Sequence, residues 1–135
     1  MTGEKTKRQL ISSGSDFESK IGFSRAVIDG QYIFVSGTTG YNYETMSISD
    51  DLLEQAEQCF QNIEKVLKKA GCGLDQIVRV HYIFPKREDF EPCWPIFKKY
   101  LGETRPAATM FVADLMNEKM KLEVEVTARI NDVTE

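Results

Sequence analysis

Residues 52–70 carry the strongest periodic signal in the chain. Leu52, Ala56, Cys59, Phe60, Ile63, Val66, Leu67 and Ala70 recur at three- and four-residue steps, which places them on one side of a helix. Glu54, Glu57, Gln61, Glu64, Lys65 and Lys68 fill the opposite, solvated side. Ser49 and Asp50 are the predicted N-cap residues, because short polar side chains accept from the free N–H groups of a first turn. Lys68 and Lys69 suit the negative end of the helix dipole, and Gly71 offers a left-handed stop.

Elsewhere the period falls to two. "SRAVIDGQYIFVSG" predicts two strands about Asp29-Gly30, a hairpin signal. "RQLIS" is a weaker first strand, and "TTGYNYETMS" reads as a polar, Gly-containing loop. "QIVRVHYIF" is a strand halted by Pro85. "REDFEPCWPIFKKYLG" is a second helix, closed by Gly102, with Pro92 and Pro95 confined to its first turn. "AATMFVADL" and "KLEVEVTARI" are the last strands, predicted to pair antiparallel across "MNEKM". The order β-β-β-α-β-α-β-β is an α+β arrangement, one domain over residues 1–135 with two helices packed on one face of a sheet.

That arrangement leaves a face uncovered. "ATMFVADL" and "HYIF" are apolar on nearly both sides, so the second face must meet something apolar, most simply a copy of itself. In "KLEVEVTARI" the alternation is strict. Leu122, Val124, Val126, Ala128 and Ile130 face one way; Lys121, Glu123, Glu125, Thr127 and Arg129 face the other. The uncovered face thus carries charge as well, as a polar-lined cleft or interface would.

Composition narrows the function. A net charge of -4 on 135 residues argues against a nucleic-acid partner, which needs a basic footprint. No apolar stretch approaches the ~20 residues that span a bilayer, and the first ten residues lack the apolar core of a signal peptide. These features predict a soluble cytoplasmic protein without a membrane partner. Cys59, Cys72 and Cys93, with a single histidine, lack metal-site spacing, so no metal and no cofactor are expected. Cys59 lies on the apolar helix face and reads as a buried thiol; nothing near Cys72 lowers its pKa. His81 sits mid-strand beside Arg79 in alternation and reads as an interface imidazole more than a base. Ser36, Thr38 and Thr39 surround Gly37; they are either turn-forming hydroxyls or donors at a cleft floor. Trp94, Phe97 and Tyr100 have core spacing on the second helix.

"IGFSRAVIDGQYIFVSGTTG", "VLKKAGCGLDQIVRV", "DFEPCWPIFKKYL", "RPAATMFVADL" and "LEVEVTA" occur in this order along almost the whole chain. Together they resemble the RidA/YjgF family of imine deaminases, whose members also carry the name endoribonuclease L-PSP. The resemblance implies a chorismate-mutase-like subunit and a homotrimer with a central barrel and three intersubunit clefts. It implies hydrolysis of 2-iminoacids, or their enamine tautomers, to 2-ketoacids and ammonia. In such members an arginine at the start of a "PAR" strand holds the substrate carboxylate, since a planar guanidinium grips it through two parallel hydrogen bonds. Here Pro106-Ala107-Ala108 stands in that place, so Ala108 replaces the arginine. The position after "IG" that bears a tyrosine is Ser24, with Phe23 before it and Arg25 after. Gly37 and Glu123 match the family pattern. Phe97 falls at a cleft-wall aromatic.

The site expected from this resemblance comprises Glu123 as the catalytic group, with Ser24, Arg25, Gly37, Thr38, Phe97 and Ala108 against the substrate. Three readings stay open. One is a small-ligand protein whose deamination is weak, altered or absent, its lone Glu123 favouring a neutral or cationic ligand. The second is an active deaminase that uses a displaced arginine, Arg25 ahead of Arg105. The third is a non-enzymatic interaction or chaperone-like module.

Overall fold

The structure, a computed structural model, describes residues 8–130. Its elements are β1 (Gln9–Ile11), α1 (Asp16–Ile21), β2 (Ala26–Asp29), β3 (Tyr32–Thr38), β4 (Tyr41–Asn42), β5 (Ser47–Ile48), α2 (Leu52–Lys69), β6 (Ile77–Phe84), α3 (Trp94–Leu101), β7 (Ala107–Val112) and β8 (Glu123–Arg129). Six strands form one sheet in the order β1-β2-β3-β8-β6-β7, and β4-β5 make a separate small hairpin.

The expected strands and helices are present, and the hairpin at Gly30 closes with Asp29 opposite Tyr32. The pairing of the last two strands differs from expectation. β8 inserts between β3 and β6, antiparallel to both, and β7 runs parallel to β6. The cause lies in residues 113–122, which cross over rather than turn back. Fully buried Gln55 holds that crossover: Nε2 donates to Lys119 O at 2.9 Å, and Oε1 accepts from Lys121 N at 2.9 Å.

Ala56, Cys59, Phe60, Ile63 and Leu67 of α2 are wholly buried, as their spacing predicts. They pack with Ile33, Val35, Val80, Val124 and Val126 from the sheet. The helix is capped by Asp51, whose carboxylate accepts from Glu54 N at 2.9 Å. That corrects the expected Ser49 and Asp50 cap by one residue; Ser49 Oγ instead donates to the Glu54 side chain at 2.6 Å. Gly71 takes the left-handed conformation at φ 78°. The second helix is shorter than expected: residues 87–89 and 91–93 form 3-10 turns and α3 begins at Trp94. Pro92 lies in the second of those turns.

On the sheet's other face Tyr32, Phe34 and Phe111 are exposed. They share it with His81 and Glu125, whose Nδ1 and Oε1 lie 2.7 Å apart. Every residue of edge strand β7 is exposed within the single chain. The apolar open face expected from the pattern is therefore present.

Candidate functional site

Between Val35 and Thr38 the β3–β8 ladder slips: Val35 pairs with Val126 and Thr38 with Val124. Ser36 and Gly37 thus stand against one residue of β8, a bulge of the kind that re-aims side chains next to binding sites. The Ser36 hydroxyl donates to Ser24 O at 2.6 Å and anchors the bulge to the segment before β2. A β-carbon on Gly37 would lie 2.8 Å from Glu123 Cδ and nearer still to Oε2. Only a residue without a side chain lets Glu123 occupy this space.

Above the bulge lies a cavity of about 450 Å³, within the roughly 300–1,000 Å³ of small-molecule sites. Its polar part includes Arg25, Gly37, Thr39 and Glu123, with Ser13, Ser15, Glu18, Ser36 and Asn117 beside them. Phe17, Phe23, Tyr41, Tyr43, Met46, Met116 and Met120 form its apolar part. Three segments supply this wall: α1 with the turn after it, the β4-β5 hairpin, and the crossover before β8. Asn62 ties the hairpin to α2 by donating to Thr39 O at 3.0 Å and Tyr41 O at 2.8 Å. Asn117 donates to the Tyr41 hydroxyl at 3.1 Å.

Arg25 is the cation of this cavity and is 6% exposed. Its Nη2 donates to Gly37 O at 2.8 Å. Its guanidinium lies 5.8 Å from the Phe23 ring centre and 5.5 Å from that of Tyr43, within cation–π reach. Its Nε is buried with no hydrogen-bond partner among the described residues. A buried unpaired donor is costly. Arg25 also borders a more polar recess with Lys65, Lys69 and Glu44. Burial pushes the Glu123 carboxyl above its ordinary pKa, and the positive charge of Arg25 partly offsets this. A second carboxylate, buried Glu18, is held by Ser12 Oγ at 3.0 Å and by the Ser13 hydroxyl.

Of the residues expected in the site, the structure brings Arg25, Gly37 and Glu123 together. The Ser24 side chain stays outside the cavity wall. Thr38 is fully buried and donates to Ser36 O at 2.8 Å; the bulge turns it toward α2, where its carbonyl accepts from Cys59 Sγ at 3.1 Å, and Thr39 takes the cavity position. Phe97 is a core residue, stacked on Tyr82 at 4.2 Å and packed against Phe60. It packs between α3 and the sheet and does not line this cavity. Ala108 pairs with Val80, whereas Glu123 pairs with Ile83. Because Val80 is buried and facing residues share a side, Ala108 and Glu123 lie on opposite faces of the sheet within one chain. Arg105 is exposed, in a left-handed turn at φ 52°, and does not line the cavity. The aromatic and methionine wall was not foreseen. The "YNY" and "ETM" of a polar-looking loop gave no periodic signal.

Residues 14–130 match the protein-family model described as Endoribonuclease L-PSP. The chain belongs to that family. It is 26% identical over 122 residues to human 2-iminobutanoate/2-iminopropanoate deaminase, covering 90% of this chain and 89% of that protein. It is 26% identical over 127 residues to the RutC family protein UK114 of Drosophila melanogaster, covering 93% and 92%. The structure of Rv2704 from Mycobacterium tuberculosis, a member of the YjgF/YER057c/UK114 family, aligns with a TM-score of 0.83 at 30% identity, over 92% of this chain and 100% of that one. The α+β, chorismate-mutase-like class read from the sequence therefore holds. Among the described residues, no group of His, Cys, Asp and Glu could hold a metal ion, and no helix is long and apolar enough to cross a membrane.

Proposed function

We propose that this member of the L-PSP family binds a 2-iminoacid in the cavity above the bulge and hydrolyses it. The observation that carries this reading is Arg25: a guanidinium-bearing residue only 6% exposed that lines the same cavity as Glu123. The expectation of a neutral or cationic ligand rested on a lone carboxylate, and Arg25 removes that premise. A substrate carboxylate against the part of Arg25 that lines the cavity forms charge-assisted hydrogen bonds.

The chemistry needs a water and a proton relay. Water held by Glu123 adds to the C=N carbon, forming a C–O bond as the C=N π-pair moves to nitrogen. Glu123 passes the water's proton to that nitrogen. Glu123 then relays the hydroxyl proton to the amine nitrogen; the oxygen's electron pair forms C=O as the C–N bond breaks, releasing ammonia and leaving the 2-ketoacid. The raised pKa of Glu123 suits this role, since a group that titrates closer to neutrality both takes and gives a proton. The family name also points to RNA, but a net charge of -4 does not supply the basic footprint of a phosphate track.

We further propose that the chain assembles as a homotrimer through its open face and edge strand β7. Tyr32, Phe34 and Phe111 are the exposed apolar contacts this would cover. Since Ala108 cannot meet Glu123 within one chain, an arginine in its place would act only on a neighbouring copy's cavity. Its absence leaves Arg25 as the anion-holding group.

Two measurements test this. An amino-acid oxidase generates the iminoacid in place, and ammonia and ketoacid release are followed with and without the protein. Acceleration that is lost in Arg25→Ala supports the reading. Acceleration that survives in Arg25→Ala refutes Arg25 as the anchor, and no acceleration refutes the deaminase assignment. Light scattering should give the mass of three chains.

A further inference from the structure

Met46 is one of two non-glycine residues with positive φ among the described residues, at φ 55°. It closes the β4-β5 turn, where Met46 N donates to Asn42 O at 2.7 Å and the Asn42 side chain accepts from Glu44 N and Thr45 N. A left-handed residue at such a turn is ordinarily Gly or Asn; other side chains are disfavoured there by contact with their own backbone. Turn formation therefore gives no reason for methionine here. Its side chain has a place to go: Met46 lines the Arg25 cavity with Met116 and Met120. Backbone strain at a binding wall is where such costs are tolerated.

The shape of the cavity agrees. Arg25, Gly37 and Glu123 lie at one part of it, and three methionines and four aromatic residues supply most of its side-chain surface, with Ser13, Ser15, Glu18 and Asn117 between them. Met46 and Met116 are largely exposed in the single chain, so a three- or four-carbon iminoacid anchored at Arg25 would leave this methionine surface uncovered. Methionine is unbranched and polarizable, so a wall of three adapts to varied apolar shapes. Resting on the deaminase reading above, we propose that the preferred substrate is a 2-iminoacid with a bulky apolar side chain, which packs against Met46, Met116 and Met120. Met46 acts as a specificity-determining residue.

The test compares iminoacids generated from leucine or phenylalanine with that from alanine. Each apolar group of this size is worth about tenfold or more in a fitting pocket, so kcat/KM should be at least about tenfold higher for the bulky pair. Met46→Asn keeps a residue suited to the turn. It should leave thermal stability unchanged or raised and lower kcat/KM about tenfold on the bulky substrates, with a clearly smaller loss on the alanine-derived one. Equal rates for all substrates, or an equal loss on all of them in the variant, overturn the proposal. Binding of unreactive ketoacids separates this claim from the one beneath it. If no iminoacid is hydrolysed but 4-methyl-2-oxopentanoate binds more tightly than pyruvate, in a Met46-dependent way, the deaminase reading fails and the pocket assignment stands. If pyruvate binds as well as the larger acid, the assignment fails whatever the turnover; binding of neither, without turnover, overturns both.

Discussion

Gly37→Ala adds one methyl group where the site has least room. Gly37 has a backbone conformation that other residues adopt freely, so the effect is steric alone. The new carbon would come 2.8 Å from Glu123 Cδ and nearer to Oε2, below the 3.0 Å that such contacts respect. The carboxylate must therefore retreat by about 1 Å. Overpacking costs about 1–3 kcal/mol. The displaced group is the tip of a half-buried side chain, so the lower end applies, and Tm should fall by about 3–5 °C for a domain of this size. Turnover should suffer more, because a 1 Å misplacement can cost about 100-fold in rate. Thermal denaturation and kcat/KM are measured for Gly37→Ala, Glu123→Ala and the double variant. If the methyl acts through Glu123, the Tm loss disappears in the Glu123→Ala background. An unchanged rate in Gly37→Ala, or the same Tm loss with and without Glu123, would refute the geometry.

Glu123→Gln probes the same carboxyl through pH. Its folded pKa is raised above 4.5, so the folded state binds the proton more tightly than the unfolded state, and stability falls as pH rises through the folded value. The variant should melt higher than wild type at pH 7–8, with the difference gone below pH 4.5; equal melting at every pH would contradict it. Arg25→Lys keeps the charge and loses the fork, and should weaken 2-ketoacid binding by about 10- to 100-fold in titration calorimetry; undiminished affinity would remove Arg25 from the site. The thiols should resist aromatic disulfide reagents in the native protein and react in denaturant. Burial raises the pKa of Cys59 and Cys72 and pushes Cys93 up to about 12, and rapid native labelling of any of them would contradict this.

The helix α2 was legible because its buried face is unbroken over five turns, and tertiary packing asks for nothing that periodicity does not show. Its start was misplaced by one residue because Ser49, Asp50 and Asp51 all have capping chemistry; only the geometry selects Asp51. The pairing of β7 was beyond local pattern. Two apolar strands joined by ten residues read as a hairpin, and what prevents it is Gln55, 64 residues before Lys119. A buried glutamine on the apolar side of α2 was the one sign that something polar had to dock there.

For the site, family spacing led to Gly37 and Glu123, but it placed their partners by sequence distance, and the β3 bulge changes that arithmetic. Without an extra residue in β3, Thr38 would share the open face with Phe34 and Ser36. With it, Thr38 turns into the core beneath Cys59, and Thr39 reaches the cavity. The same slip brings the Gly37 carbonyl to Arg25 Nη2, fixing a guanidinium that begins on the neighbouring strand's approach. A cation missing from one strand is therefore poor evidence for an uncharged site. What the carboxylate of a ligand meets depends on which side chains converge in space, and Arg25 converges on Glu123 while Ala108, whatever residue stood there, faces away within its own chain.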